Sequence, residues 1–256
     1  MQSVISKFVL PVILLLLSCE TAMSDKTGIY MIPVFNYVTG QFNPAEHPQF
    51  VNLDKTAIPA SRKGMYLRKE TAESLSSMLK DFKKENPGIT ITVISATRNY
   101  YSQKRIWEMK WTGKRKVTGI TSINSVKDPV RKGEYILRYS SMPGTSRHHW
   151  GTDFDINSLN NEYYSKGKGK IIYDWLVKNA GRYGFHQPYT AGRNSGYNEE
   201  KWHWSYTPIS KQFLKDWNSL YSADKKQFFK NLSFKGAEHV LYLAPIYVNS
   251  ISSECK

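Results

Sequence analysis

The twelve residues 146–157, SRHHWGTDFDIN, impose a geometric condition on the fold, because they hold two histidines and two aspartates in one short segment. His148 and Asp155 are seven positions apart. Successive side chains of a strand point to opposite faces, so an odd separation keeps these two apart on any uninterrupted strand. They can meet only if the chain turns between them. Trp150-Gly151 offers the break, since glycine adopts backbone conformations closed to other residues. Beyond it, Asp153 and Asp155 share a face, and either qualifies as a metal ligand.

A catalytic zinc typically takes three protein ligands and keeps a further position open, so a third ligand has to come from elsewhere in the chain. The segment EEKWHW, residues 199–204, is the candidate. His203 lies between two tryptophans expected to pack on the opposite face of a short strand and hold the imidazole rigid. Glu200, three residues earlier, is the type of carboxylate that accepts a proton from water beside a metal. His149, next to the ligand candidate, is read as a histidine facing away, and His47, His186 and His239 as ordinary structural or surface histidines. Ser146 lacks triad partners in any recognisable order, which argues against a serine nucleophile.

The pattern along the chain predicts an α+β fold. Leu75, Met78, Leu79 and Phe82 recur at helical spacing and the helix stops at ENPG. ITITVIS, residues 89–95, is β-branched and reads as a strand. A second helix follows in ATRNYYSQKRIWEMKW, a third in 170–185 and a fourth in PISKQFLKDWNSLY. Short strands are expected at 152–156 and around 202–206. Residues 25–64 show no clear period and read as a linker and irregular arm. Residues 112–145, basic and broken by Gly, Ser and Pro, read as a long surface excursion with the character of a lid. Helices and strands do not alternate as regular βαβ units, so a small antiparallel sheet flanked by helices is expected.

The chain has 256 residues, two cysteines and a formal charge of +15, which permits a sizeable core without a disulfide framework. Its first residues combine Lys7 with an apolar run, Phe8–Leu17, too short for an ordinary membrane span and read as a secretory leader. Leu16, Leu17, Ser18 and Cys19 resemble the lipobox of bacterial lipoproteins, which implies lipidation of Cys19; ordinary cleavage near ETAMS is the alternative. Lipidation would leave Cys255 without a partner. The expected product is an exported, envelope-located monomer anchored to the membrane by lipid. Lysines spread along the whole chain favour acidic partners such as anionic headgroups or cell-wall polymer. No zinc-finger cysteine set or recognition-helix block argues for nucleic acid.

Three segments in order carry a more specific signal: ISATRNYYSQ (94–103) with Arg98 and Gln103, Ser146-x-His148-x-x-Gly151-x-x-x-Asp155, and Glu200-x-Trp202-His203. Together they resemble the VanY-type D-alanyl-D-alanine carboxypeptidases, within the wider group of zinc peptidases that includes VanX dipeptidases, Hedgehog-like domains and LAS enzymes. The resemblance covers residues ~65–220. It implies one zinc ion on His148, Asp155 and His203, with Glu200 as base. Arg98 would stabilise the oxyanion or grip a substrate carboxylate, and Gln103 and Ser146 would support substrate. The implied substrate is the terminal D-alanine bond of peptidoglycan stem peptides, D,D or L,D; an endopeptidase of the same fold and a non-catalytic wall-binding protein are the alternatives. The family usually has a small residue where this chain has Asp153, which leaves three roles open: orienting a ligand histidine, binding a substrate amine or competing for the metal. The expected organisation is a leader (1–18), a linker and arm (19–64), a peptidase domain (65–220) and a C-terminal extension (221–256).

Overall fold

The computed structural model describes residues 28–256; the leader and Cys19 lie outside the described residues. Two four-residue strands explain most of the architecture. In β4 (Asp153–Ile156) and β6 (His203–Tyr206) apolar and polar side chains alternate. Phe154, Ile156 and Trp204 therefore enter one hydrophobic core, while Asp153, Asp155, His203 and Ser205 share the other face. The strands pair antiparallel with Asp155 opposite His203 and Asp153 opposite Ser205. β3 (Val93–Ser95) and β5 (Phe185–His186) complete a four-stranded antiparallel sheet in the order β3-β4-β6-β5.

Helix α2 (Lys69–Glu85) buries Ala72, Leu75, Met78 and Phe82, and α5 (Gly167–Asn179) adds Ile172 and Leu176 to the same core. A second core gathers Tyr37, Trp107, Trp150, Phe213 and Trp217. It receives α3 (Tyr100–Trp111) and α6 (Thr207–Ala223). Asn99 caps α3 by accepting from the Ser102 amide. The α+β class read from the pattern is the observed one. Among the described residues, no helix is long and apolar enough to cross a membrane.

Four expectations change. The strand expected over 89–95 pairs only from Val93, because Asn157, in a left-handed conformation, takes the place of a ladder partner: its side chain bonds the Thr92 amide and the Thr90 carbonyl. Described residues 28–64 are not a linker. α1 (Val34–Val38) and β1 (Phe50–Asn52), paired with β2 (Tyr66–Arg68), bury Tyr37, Val38 and Phe50 in the second core. Tyr37 Oη donates to the Trp150 carbonyl, Trp150 Nε1 to the Val38 carbonyl, and Arg68 to Tyr37 Oη. Elements this short show no readable period.

The 112–145 segment is an excursion only at its start. α4 (Pro129–Leu137), capped by Asp128, buries Ile136 and Leu137. Residues 221–256 close the same core: α7 (Lys225–Lys230) brings Phe228, α8 (Ala237–Val240) brings Val240, and α9 (Ala244–Asn249) brings Val248, followed by buried Cys255, which has no disulfide partner among the described residues.

The reversal between His148 and Asp155 is a 3-10 turn, Arg147–Trp150, ended by Gly151 at φ +75°. A Cβ there would meet Phe50 Cε1 at 2.4 Å and Arg68 Cγ at 3.0 Å. Gly151→Ala is therefore expected to lose ~2–4 kcal/mol from backbone strain and overpacking. Urea denaturation checks this, and a loss below ~0.5 kcal/mol, the range of an ordinary surface change, would contradict it.

Candidate active site

His148 leaves the 3-10 turn with its Nδ1 2.9 Å from the Ala96 carbonyl. A carbonyl only accepts, so Nδ1 carries the proton and Nε2 keeps its lone pair, 3.3 Å from Asp155 Oδ2. On β6, His203 lies between the two aspartates of β4: Nε2 is 3.1 Å from Asp153 Oδ1 and Nδ1 is 3.0 Å from Asp155 Oδ1. The same alternation that points Asp153 and Asp155 to one face lets one imidazole span both. Ligand atoms of His148, Asp155 and His203 lie within 4.8 Å of one another, all in buried residues.

The donor set fits a metal ion. His203 Nδ1 approaches Asp155 Oδ1 without the alignment of a hydrogen bond, leaving that buried oxygen with no donor. Burial opposes a charged His203, but the neighbouring carboxylates of Asp153 and Asp155 lift its pKa to about 9. The site thus selects positive charge at Nδ1, and a proton or a divalent cation supplies it. Two nitrogens and a carboxylate, with room beside them, match a three-ligand catalytic zinc site.

Asp153 does not line the cavity that His148, Asp155 and His203 share. It is wholly buried, and its carboxylate accepts from Arg147 Nε at 2.8 Å, from Thr152 Oγ1 at 2.6 Å and from His203. Burial disfavours its charge, yet Arg147 and His203 hold its pKa well below the usual carboxylate range. Its role is to hold the His203 ring with Nδ1 turned toward Asp155, the carboxylate support that ligand histidines commonly have. Asp153→Asn is expected to weaken zinc binding ~10–100-fold, measured by competition with a chromophoric chelator on folded protein. Unchanged affinity would remove this role.

Glu200 faces a cavity of about 500 Å³ that His148, Asp155, His203 and Arg98 also line. Its backbone is fixed by two hydrogen bonds: its amide donates to the Tyr189 carbonyl, and its carbonyl accepts from Gln187 Nε2. The carboxylate lies 3.7 Å from His203 Nδ1, and no hydrogen bond among the described residues ties it down. Burial pushes its pKa up to about 8, against the pull of His203, Arg98 and Lys110. A carboxylate raised that far can both take and return a proton near neutral pH.

Arg98 follows β3 and is held by its backbone: its amide donates to the His148 carbonyl, and its carbonyl faces His149 Nδ1 at 2.6 Å. His149 Nε2 accepts from the Gly144 amide, so His149 is a fully bonded core histidine that fixes the arginine's backbone. Arg98 Nη1 donates to Ser95 Oγ and stands 3.9 Å from Asp155 Oδ2. Gln103 lines the cavity; its Nε2 donates to the Ser141 carbonyl and its Oε1 has no hydrogen-bond partner. Ser146 is buried, does not line the cavity, and its Oγ has no hydrogen-bond partner among the described residues.

Sequence reading missed Arg147, Tyr189 and Lys110. Arg147 is buried against the Trp150 ring and also donates to Ser205 Oγ and Ser210 Oγ. Its adjacency to His148 was the available signal. Tyr189 packs its ring 4.8 Å from that of His203, with no motif to mark it. Lys110 sits seven residues after Gln103 on α3, a spacing that puts both on one face. Trp202, expected opposite the site, lines the cavity while also packing in the same core as Trp204.

Two histidines, an aspartate and an untethered buried glutamate around one open cavity form the residue set of a metal-dependent hydrolase. The family profile described as VanY, D-alanyl-D-alanine carboxypeptidase, matches residues 64–209. This chain belongs to that family. It is 32% identical over 151 residues to "Putative carboxypeptidase YodJ" of Bacillus subtilis (strain 168), a match covering 55% of this chain and 46% of that protein; the match thus spans about half of the curated relative. Among solved structures, the LdcB LD-carboxypeptidase aligns at 22% identity and TM-score 0.49, over 74% of this chain and 80% of that one. A vancomycin-resistance D,D-pentapeptidase VanY variant in complex with Zn(II) aligns at 23% identity and TM-score 0.45, over 64% and 85%.

Proposed function

We propose that this chain is a zinc-dependent carboxypeptidase that removes the terminal D-alanine from peptidoglycan stem peptides, as an exported protein anchored in the cell envelope through lipid on Cys19. The observation that carries the reading is the meeting, in one cavity, of the His148–Asp155–His203 set, the untethered base Glu200 and the guanidinium of Arg98. Zinc on the three ligands would supply Lewis acidity. Glu200 takes a proton from the attacking water and returns it to the leaving amine, so that one carboxylate serves both halves of the hydrolysis. Arg98 presents a planar fork to the substrate's terminal carboxylate or to negative charge developing on the carbonyl oxygen. A cationic group near the ligand set favours substrates with a free C-terminus, hence exopeptidase over endopeptidase chemistry. A formal charge of +15 suits an acidic envelope partner.

Purified protein, zinc-loaded or chelated, is to be incubated with defined muropeptides ending in pentapeptide, tetrapeptide or a C-terminal amide, and the products weighed. Zinc-dependent loss of one alanine from the pentapeptide is the expected D,D result, and loss from the tetrapeptide the L,D result, with the amide untouched. Cleavage of the amide at an internal bond would make the protein an endopeptidase. Intact peptides in every zinc-loaded reaction would end the enzyme reading.

A further inference from the structure

The cavity carries more positive charge than its ligand set and base can use. Arg98, Lys110, Arg115 and Lys116 line it, against the carboxylates of Asp155 and Glu200. Asp155 belongs to the ligand set, and a divalent ion there adds still more positive charge. Lys110 is buried on α3, and its Nζ bonds Ser140 Oγ at 2.5 Å. An ammonium has three protons to place. Among the described residues, no carboxylate lies within 4 Å of Lys110, Arg115 or Lys116.

Keeping cations together without a counter-charge is unfavourable. Burial, and then the nearby charge of Arg115, pushes the Lys110 amine down to about 8, although Glu200 pulls the other way. Arg115 follows where the chain turns back after α3, its amide donating to the Met109 carbonyl at 3.0 Å. A surface lysine would turn to water, whereas this one points its amine into the substrate cavity. Lys110 lies two helical turns beyond Gln103, ~10 Å along the axis at 1.5 Å per residue, a span that ~3 extended peptide residues cover.

We propose that Lys110 and Arg115 form a second anion subsite in this cavity, which recognises a side-chain carboxylate carried by the peptide substrate on the acyl side of the scissile bond. The inference rests on the peptidase reading and adds a specificity to it: the preferred substrate is a peptide with two carboxylates, one terminal and one upstream. A neutral peptide leaves Lys110 and Arg115 without a counter-charge, and a diacid compensates them.

The test uses peptides with one side-chain carboxylate placed one, two or three residues before the scissile bond, each paired with its carboxamide twin. The readout is the ratio of kcat/KM for acid over amide. Wild type is expected to prefer the acid by about tenfold or more at one position, a charge-assisted hydrogen bond being worth that much. The ratio should fall toward one in Lys110→Met or in Arg115→Gln. Arg115 is exposed, so its variant carries the test if Lys110→Met fails to fold. A wild-type ratio near one at all three positions, or a preference kept in both variants, overturns the subsite. Calorimetric titration of the same twins into Glu200→Gln protein separates the two readings. Acid-selective binding with no cleavage by wild type keeps the subsite and removes the peptidase, and cleavage without preference does the reverse.

Discussion

Glutamine at position 200 is expected to lower kcat on a D-alanine-terminated peptide by ~10²–10⁴-fold, the range a positioned general base contributes, with zinc content and thermal stability unchanged. The amide matches the carboxylate in shape but accepts no proton, so the loss isolates proton transfer from packing. No hydrogen bond among the described residues ends on the Glu200 carboxylate, and its backbone anchors to Tyr189 and Gln187 do not involve the side chain. The fold therefore loses nothing with the substitution. Steady-state kinetics and metal analysis on the same preparation check the result. A variant with full zinc and wild-type kcat would remove Glu200 from the chemistry and return the site to a binding role.

The second large effect falls on a residue with no part in the chemistry. Arg147→Met is expected to cost ~3–5 kcal/mol, because removing one partner of a buried ion pair strands the other's charge. For a chain of this size that corresponds to a melting temperature lower by on the order of 10 °C. Arg147 and Asp153 are both buried, and the guanidinium also satisfies Ser205 and Ser210. The double variant Arg147→Met/Asp153→Asn should recover part of the loss, since a buried pair replaced as a whole costs far less than one broken. Calorimetry on the single and double variants decides it. A drop of 2 °C or less in the single variant would mean that water or rearranged side chains compensate Asp153.

These two residues mark the boundary of what the chain's order of residues reveals. Glu200, His148, Asp155, His203 and Arg98 were legible because each sits in a motif with fixed spacing, and the structure brings all five to one cavity. The open question over Asp153 was not legible. Its carboxylate is chemically as good a ligand as that of Asp155 and shares its face of β4, so spacing alone cannot separate them. Register separates them. With Asp155 opposite His203 and Asp153 opposite Ser205, the ring's two nitrogens face different aspartates, and Arg147 claims the one farther from His148.

The long helices were equally legible from apolar spacing, and the aperiodic segments 28–64 and 221–256 were not. Tyr37, Phe50, Phe228 and Val248 are core residues on elements of three to six residues, too short for any period to show. The sequence by itself determined the α+β class, the turn at Gly151 and the candidate residues of the site, because local backbone rules and side-chain chemistry act within a few residues. Only the tertiary structure decided that Asp153 pairs with Arg147 while Asp155 faces His148, that both ends of the described chain belong to the core, and that Lys110 and Arg115 face the same cavity as Arg98. Those outcomes depend on contacts between residues tens of positions apart, where strand register and packing set the distances and no local pattern records them.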